Sequence, residues 1–190
     1  MDTGYLVSPA VFLVDTLFSL YVFALMLRLL LQWVGADFYN PISQFLVKLT
    51  HPPLRLLRRF IPSVGRVDAA SIVLMLGLQM LGGYLVFLIQ GLNVGAATLA
   101  AWSLSQLVEL LFNVYLFAII IAAILSWVGP AHNPVSSLLY SLTEPVLRVF
   151  RRILPPMAGI DLSPMIALIG IQLAKMVILP PLQQLTVMLN

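Results

Sequence analysis

LFSLYVFALMLRLLLQWVG, residues 17–35, and LFNVYLFAIIIAAILSWVG, residues 111–129, are two versions of one segment. Leu, Phe, Tyr, Phe, Ala, Trp, Val and Gly recur at an offset of 94, with Trp33 answered by Trp127. After a one-residue gap the match resumes at an offset of 93. Asn40 and Pro41 pair with Asn133 and Pro134, Thr50 with Thr143, and Pro52 with Pro145. Arg55, Arg58, Arg59 and Pro62 pair with Arg148, Arg151, Arg152 and Pro155, and Asp68 pairs with Asp161. A period this long marks a duplicated structural unit. The expected boundaries are residues 1–95 for the first copy and 96–190 for the second.

Composition names the solvent. Of 190 residues, 61% are hydrophobic and 9% charged, against about 45–50% and about 25% in a soluble domain. A bilayer core takes roughly 20 apolar residues per helix, and four stretches meet that: 11–34, 69–90, 105–128 and 162–182. The expectation is an all-α membrane protein with four transmembrane helices, arranged as two helix–connector–helix repeats. Two spans return the chain to its starting side, so the copies are parallel rather than inverted. Residues 91–102 then form a tight external turn. The N-terminus has no basic segment before an apolar run and does not read as a removable signal.

Basic residues set the orientation. Lys48, Arg55, Arg58, Arg59 and Arg66 lie between the first two spans, and Arg148, Arg151 and Arg152 between the last two. The tails and the middle turn hold no Lys or Arg. Basic loops stay in the cytoplasm, so connectors 35–68 and 129–161 are expected there, with both termini outside.

The connectors carry the most distinctive sequence. Asn-Pro ends one helix and starts another. From Pro41, the spacing predicts Ile42, Phe45, Leu46 and Leu49 on one helical face. From Pro53, it predicts Leu54, Leu57 and Ile61 opposite Arg55, Arg58 and Arg59. The second copy sets Leu147, Phe150 and Leu154 against Arg148, Arg151 and Arg152. Pro52, Pro62, Pro145 and Pro155 are expected to bracket these basic amphipathic helices. Such helices lie in the interface plane with guanidinium groups among lipid phosphates. Two readings stand side by side: arginines that only enforce topology, and arginines that dock anionic lipid or a protein partner. Asp68 and Asp161 are placed to cap the returning spans.

Ionisable residues inside spans call for an explanation. Asp15 matches Glu109, Ser19 matches Asn113, and Gln79 matches Gln172. Lys175 lies roughly 20 Å along the fourth span, where Glu109 or Asp15 could pair with it. Arg28 lies near the inner end, where snorkelling suffices and Asp68 or Asp161 could reach it. Gln79 and Gln172 are expected to bond across helices. Gly77, Gly82 and Gly83 would permit close helix approach.

Absences narrow the function. Without cysteine there is no disulfide, thiol catalysis or Cys-ligated metal. No phosphate loop, His-Glu metal motif or nucleophile elbow is present. His51 and His132 are not repeat-equivalent and are not read as haem ligands. No enzyme, cofactor, metal or nucleic-acid role is expected.

The pattern Trp…Asn-Pro…Leu-Thr-x-Pro…Arg-Arg-x-x-Pro, present twice with an Asp before the next span, resembles the YggT family of bacterial and plastid membrane proteins. The resemblance covers nearly the whole chain. It implies a protein of the bacterial cytoplasmic (inner) membrane. Members have been linked to osmotic or extracytoplasmic stress tolerance and cell division, and plastid relatives to nucleoid distribution and cytochrome b6f haem assembly. No common biochemical activity follows from it. One departure stands out: Arg28 has Ala122 as its counterpart. The leading expectation is a non-enzymatic scaffold or assembly factor acting through its connectors on anionic headgroups and a cytosolic or membrane partner. The alternative is a small channel or transporter for an ion or osmolyte, which needs a homo-oligomer because four helices enclose little volume.

Overall fold

The computed structural model describes residues 4–63, 65, 67–128, 133–153 and 161–189. Its regular elements are helices: α1 (Gly4–Val34), α2 (Pro41–Leu57), α3 (Ala69–Ile89), α4 (Ala96–Val128), α5 (Pro134–Ile153) and α6 (Ser163–Met188). Four of them, α1, α3, α4 and α6, are long and apolar enough to cross a bilayer. Pro155, His132 and Arg66, and the side chain of Trp127, lie outside the described residues.

Helix ends follow local chemistry. Gly35 takes a φ of 70°, and the Ala36 N–H reaches back to the Leu31 carbonyl at 2.9 Å. This left-handed closure satisfies a carbonyl that the end of α1 would orphan. Gly91 (φ 74°) ends α3 the same way, with Leu92 donating to Phe87. The turn between the repeats is shorter than the expected 91–102, because α4 begins at Ala96. Residues 96–104 contain no helix breaker. Thr98 donates to the Leu189 carbonyl at 2.7 Å, whereas the buried Ser103 hydroxyl has no hydrogen-bond partner among the described residues.

Pro52 and Pro145 do not bracket separate helices, whereas Pro62 follows the end of α2. α2 runs through Pro52 and Pro53, and α5 through Pro145. A proline inside a helix frees the carbonyl four residues back. For Pro53 that is Leu49, and the Tyr21 hydroxyl from α1 donates to it at 3.3 Å. A neighbouring helix thus supplies the bond the proline removed.

The spans form an open row. α1 packs on α3, α3 on α4 and α4 on α6, while α1 and α6 make no contact among the described residues. Both connectors sit at one end of the row and touch each other. One core joins Val22 and Leu25 of α1, Leu54 of α2, Met75 of α3, Val114 of α4 and Leu142 of α5. A smaller one joins Ile119, Leu147 and Ala167 in the second copy. Lipid tails are as apolar as leucine, so close packing must hold the spans together. Gly82 and Gly83 provide it. A Cβ on Gly82 would stand 2.8 Å from Phe18 of α1, and one on Gly83 would overlap the Trp102 ring of α4. Gly77, expected to act likewise, faces open space.

Candidate functional site

The connector end holds most of the polar side chains singled out in the sequence. Asn40 caps α2, its Oδ1 accepting from the Ile42 N–H at 2.9 Å. Its amide donates across to the second copy, to the Pro134 carbonyl (2.7 Å) and the Ser137 hydroxyl (3.1 Å). Asn133 stays local, accepting from the Ser136 N–H at 2.8 Å. Pro41 and Pro134 each open a helix, as their fixed φ favours. Thr50 and Thr143 are buried and donate to carbonyls one turn back, Leu46 and Leu139. Trp33 is half-exposed.

The six connector arginines divide into two kinds. Arg58 donates through Nε (3.2 Å) and Nη2 to Oδ2 of the fully buried Asp68. Its equivalent, Arg151, donates through Nε to Asp161 at 2.9 Å. Each pair ties a connector helix to the start of the returning span. Arg55, Arg59 and Arg152 are exposed without a carboxylate partner among the described residues, and Arg148 is exposed with a 3.5 Å contact to Glu144. Asp68 does not cap α3 with its side chain. It accepts from the Ser71 hydroxyl at 2.7 Å instead, because Arg58 draws the carboxylate aside. Asp161 does reach a backbone N–H, that of Ser163, at 2.9 Å. Burial raises the pKa of each aspartate, but the arginine and serine partners outweigh it and hold both below the ordinary carboxylate value.

The faces of α2 differ from the expected set. Ser43, Leu46, Thr50 and Leu54 are buried, whereas Phe45 and Leu49 are exposed. Phe45, Leu49, Leu56 and Phe60 repeat at helical spacing, so they form an outward apolar row. Lys48, Arg55 and Arg59 run beside it. Alternation alone could not say which of two apolar rows meets the protein. The small polar Ser43 and Thr50, which fit a tight helix contact, mark the buried one.

Arg28 does not snorkel. It is only 7% exposed, covered by α2, and Nη1 donates to Thr50 Oγ1 at 2.6 Å rather than pairing with Asp68 or Asp161. It and Arg58 line a cavity of about 590 Å³ between α1 and α2, with Ser43 and His51.

The second polar cluster lies between α4 and α6. Lys175 meets Glu109 Oε1 at 3.0 Å and Asn113 Oδ1 at 2.8 Å. Asp15, the counterpart of Glu109, is exposed and forms no ion pair among the described residues. Gln79 and Gln172 make no side-chain hydrogen bond among the described residues, contrary to expectation. Gln172 is exposed and lines a groove of about 580 Å³ with Asn113 and Lys175, and Gln79 is half-buried on α3.

A row of four bilayer-length helices, duplicated and joined at one end by basic helices, defines a multi-pass membrane protein of tandem-repeat type. The CCB3/YggT family model matches twice, over residues 7–89 and 101–182, and the chain belongs to that family. It is 41% identical over 182 residues to an uncharacterized protein of Pseudomonas aeruginosa, covering 94% of this chain and 92% of the relative. It is 40% identical over 166 residues to an uncharacterized protein from the proC 3′ region of Vibrio alginolyticus, covering 86% and 90%. The uncharacterized protein YggT of Escherichia coli K12 is 36% identical over 174 residues, 90% of each chain. No solved structure matches.

Proposed function

We propose that this protein is a non-enzymatic scaffold of the bacterial inner membrane. Its basic amphipathic connectors lie on the cytoplasmic surface, with both termini outside. The outward rows of α2 carry this reading. Phe45, Leu49, Leu56 and Phe60 can enter the acyl boundary while Lys48, Arg55 and Arg59 meet anionic headgroups. Arg148 and Arg152 extend the basic surface on α5. Held flat on the membrane, the two helices present one rigid platform to a partner in envelope, osmotic-stress or division homeostasis.

The test is in-cell photo-crosslinking from the exposed positions Leu56 and Val149, read by mass spectrometry. A reproducible protein partner, lost when Arg55, Arg59, Arg148 and Arg152 become Gln, supports the scaffold. Crosslinks only to lipid and self, unchanged by that variant, overturn it.

The Lys175–Glu109–Asn113 cluster favours a second reading, a channel or transporter. Against it, the cluster belongs to one copy, and α1 and α6 do not meet among the described residues, so these form no closed ring of spans. Flux through liposomes, abolished by Lys175→Met, would revive it.

A further inference from the structure

The two copies differ most in how they balance charge at the connector end. In the second copy, Glu144 lies 2.7 Å from Arg151 and 3.5 Å from Arg148, and Asp161 takes Arg151 from the other side. Two carboxylates answer two guanidiniums. In the first copy His51 stands where the repeat places Glu144, and Arg28 stands where it places Ala122. There Arg58 takes the one carboxylate, Asp68, while Arg28 has no ion pair among the described residues, and both line the same cavity. The first copy has gained one buried cation and lost one anion at the position where a cavity opens.

Among the described residues, donors in that cavity remain unused. A guanidinium carries five N–H groups. Arg28 makes one hydrogen bond, to Thr50, and Arg58 engages Nε and Nη2 with Asp68. The Ser43 hydroxyl lines the same cavity, is 8% exposed, and has no hydrogen-bond partner among the described residues. Buried polar atoms are rarely left unmatched. A group with several acceptor oxygens and negative charge would meet all three side chains. Phosphate has that chemistry, and guanidinium forks match it. Arg28 lies six residues before the end of α1, roughly 9 Å inside it, and its bond to Thr50 of α2 sets it at the level of the connector. Phe38 and Leu46 on the cavity wall supply apolar surface for the rest of a lipid.

We propose that this cavity binds the phosphate of one anionic membrane lipid, held by Arg28 and Arg58 with Ser43 donating to the same group. The proposal rests on the connectors lying at the membrane surface, as read above, but not on their outward arginines or on any protein partner.

The test is native mass spectrometry of the delipidated full chain titrated with phosphatidylglycerol, phosphatidylcholine or inorganic phosphate. One tightly held phosphatidylglycerol is expected, weakened about tenfold or more by His51→Glu and by Arg28→Gln, and not displaced by phosphatidylcholine. His51→Glu gives the first copy the residue with which the second already folds, so it carries the test even if Arg28→Gln misfolds. The Arg55, Arg59, Arg148 and Arg152 to Gln variant is expected to keep the adduct. Its loss there would move the lipid to the outward surface and overturn the assignment. Equal binding of phosphatidylcholine, or an adduct indifferent to both cavity variants, overturns it too. Displacement by inorganic phosphate alone, with no gain from phosphatidylglycerol, would make this a soluble-anion site and overturn the lipid source. Crosslinks only to lipid and self, with the adduct intact, would count against the scaffold and leave this site standing.

Discussion

Arg58 and Asp68 are ten residues apart in sequence and joined side chain to side chain, and Arg151 and Asp161 repeat both the spacing and the bond. Each pair pins a connector helix to the first residue or two of the span that follows. Asp68 is fully buried, so its arginine is its charge balance rather than an ornament of the surface.

Removing one partner of such a pair strands a charge. Arg58→Gln is therefore expected to destabilise the protein by about 3 kcal/mol, read as a lowered thermal midpoint in detergent. Arg59→Gln, one position on and exposed, should change it by less than about 0.5 kcal/mol. Equal effects from the two variants would show that the pairing carries no stability.

Acid should find the same pairs. Both aspartates have folded-state pKa values below the ordinary one. Their contribution is thus fully present above the unfolded carboxylate value of about 3.9 and is lost as pH falls through the lower folded value. Thermal midpoints should hold steady through the neutral range where these groups are concerned and drop below about pH 4. The Asp68→Asn, Asp161→Asn double variant should start lower and show a shallower acid limb. An unchanged limb would locate acid sensitivity elsewhere.

Glycines on α3 separate contact from propensity. Gly83→Ala would drive a methyl into the Trp102 ring, an overpacking worth about 1–3 kcal/mol of lost stability. Gly77→Ala meets nothing within 4 Å and should be neutral or stabilising by about 0.5–1 kcal/mol through helix propensity. Matched detergent melts of the two variants decide it.

Lys175 tests whether the α4–α6 cluster is a tie. Glu109→Gln leaves the ammonium with Asn113 alone and should weaken the helix pair by about 2 kcal/mol. Replacing Lys175 and Glu109 together with Leu should restore most of that, since a shape-filling apolar pair needs no partner. A double variant no better than the single would give the charges a role beyond packing.

Helix number, repeat and family were legible in the sequence because each rests on a long-range regularity: four apolar runs, and a motif such as Asn-Pro…Thr-x-Pro written twice. The Lys175–Glu109 pair was legible because the membrane leaves few partners to choose from. Details set by tertiary contact were not. Prolines 52 and 145 looked like helix boundaries, yet α2 and α5 run through them, and Tyr21 on another helix takes up the carbonyl that the adjacent Pro53 frees. Phe45, Leu46 and Leu49 looked like one face, yet Leu46 is buried and the other two are exposed, since hydrophobicity cannot distinguish a lipid-facing row from a protein-facing one. Arg28 looked like a snorkelling residue because nothing local announces that α2 will fold over it. The substitution of His51 for a glutamate was visible in the repeat alignment all along. Its meaning required seeing that Glu144 binds Arg151.

Asn40 lends its amide to the opposite copy, while its twin Asn133 keeps to its own helix. A duplicated chain whose halves were equivalent would look the same after a half-turn about the membrane normal. This one does not, because the stitch between the halves is sewn from one side only. The connector end therefore has a front and a back, and a molecule settling onto it meets one orientation rather than two.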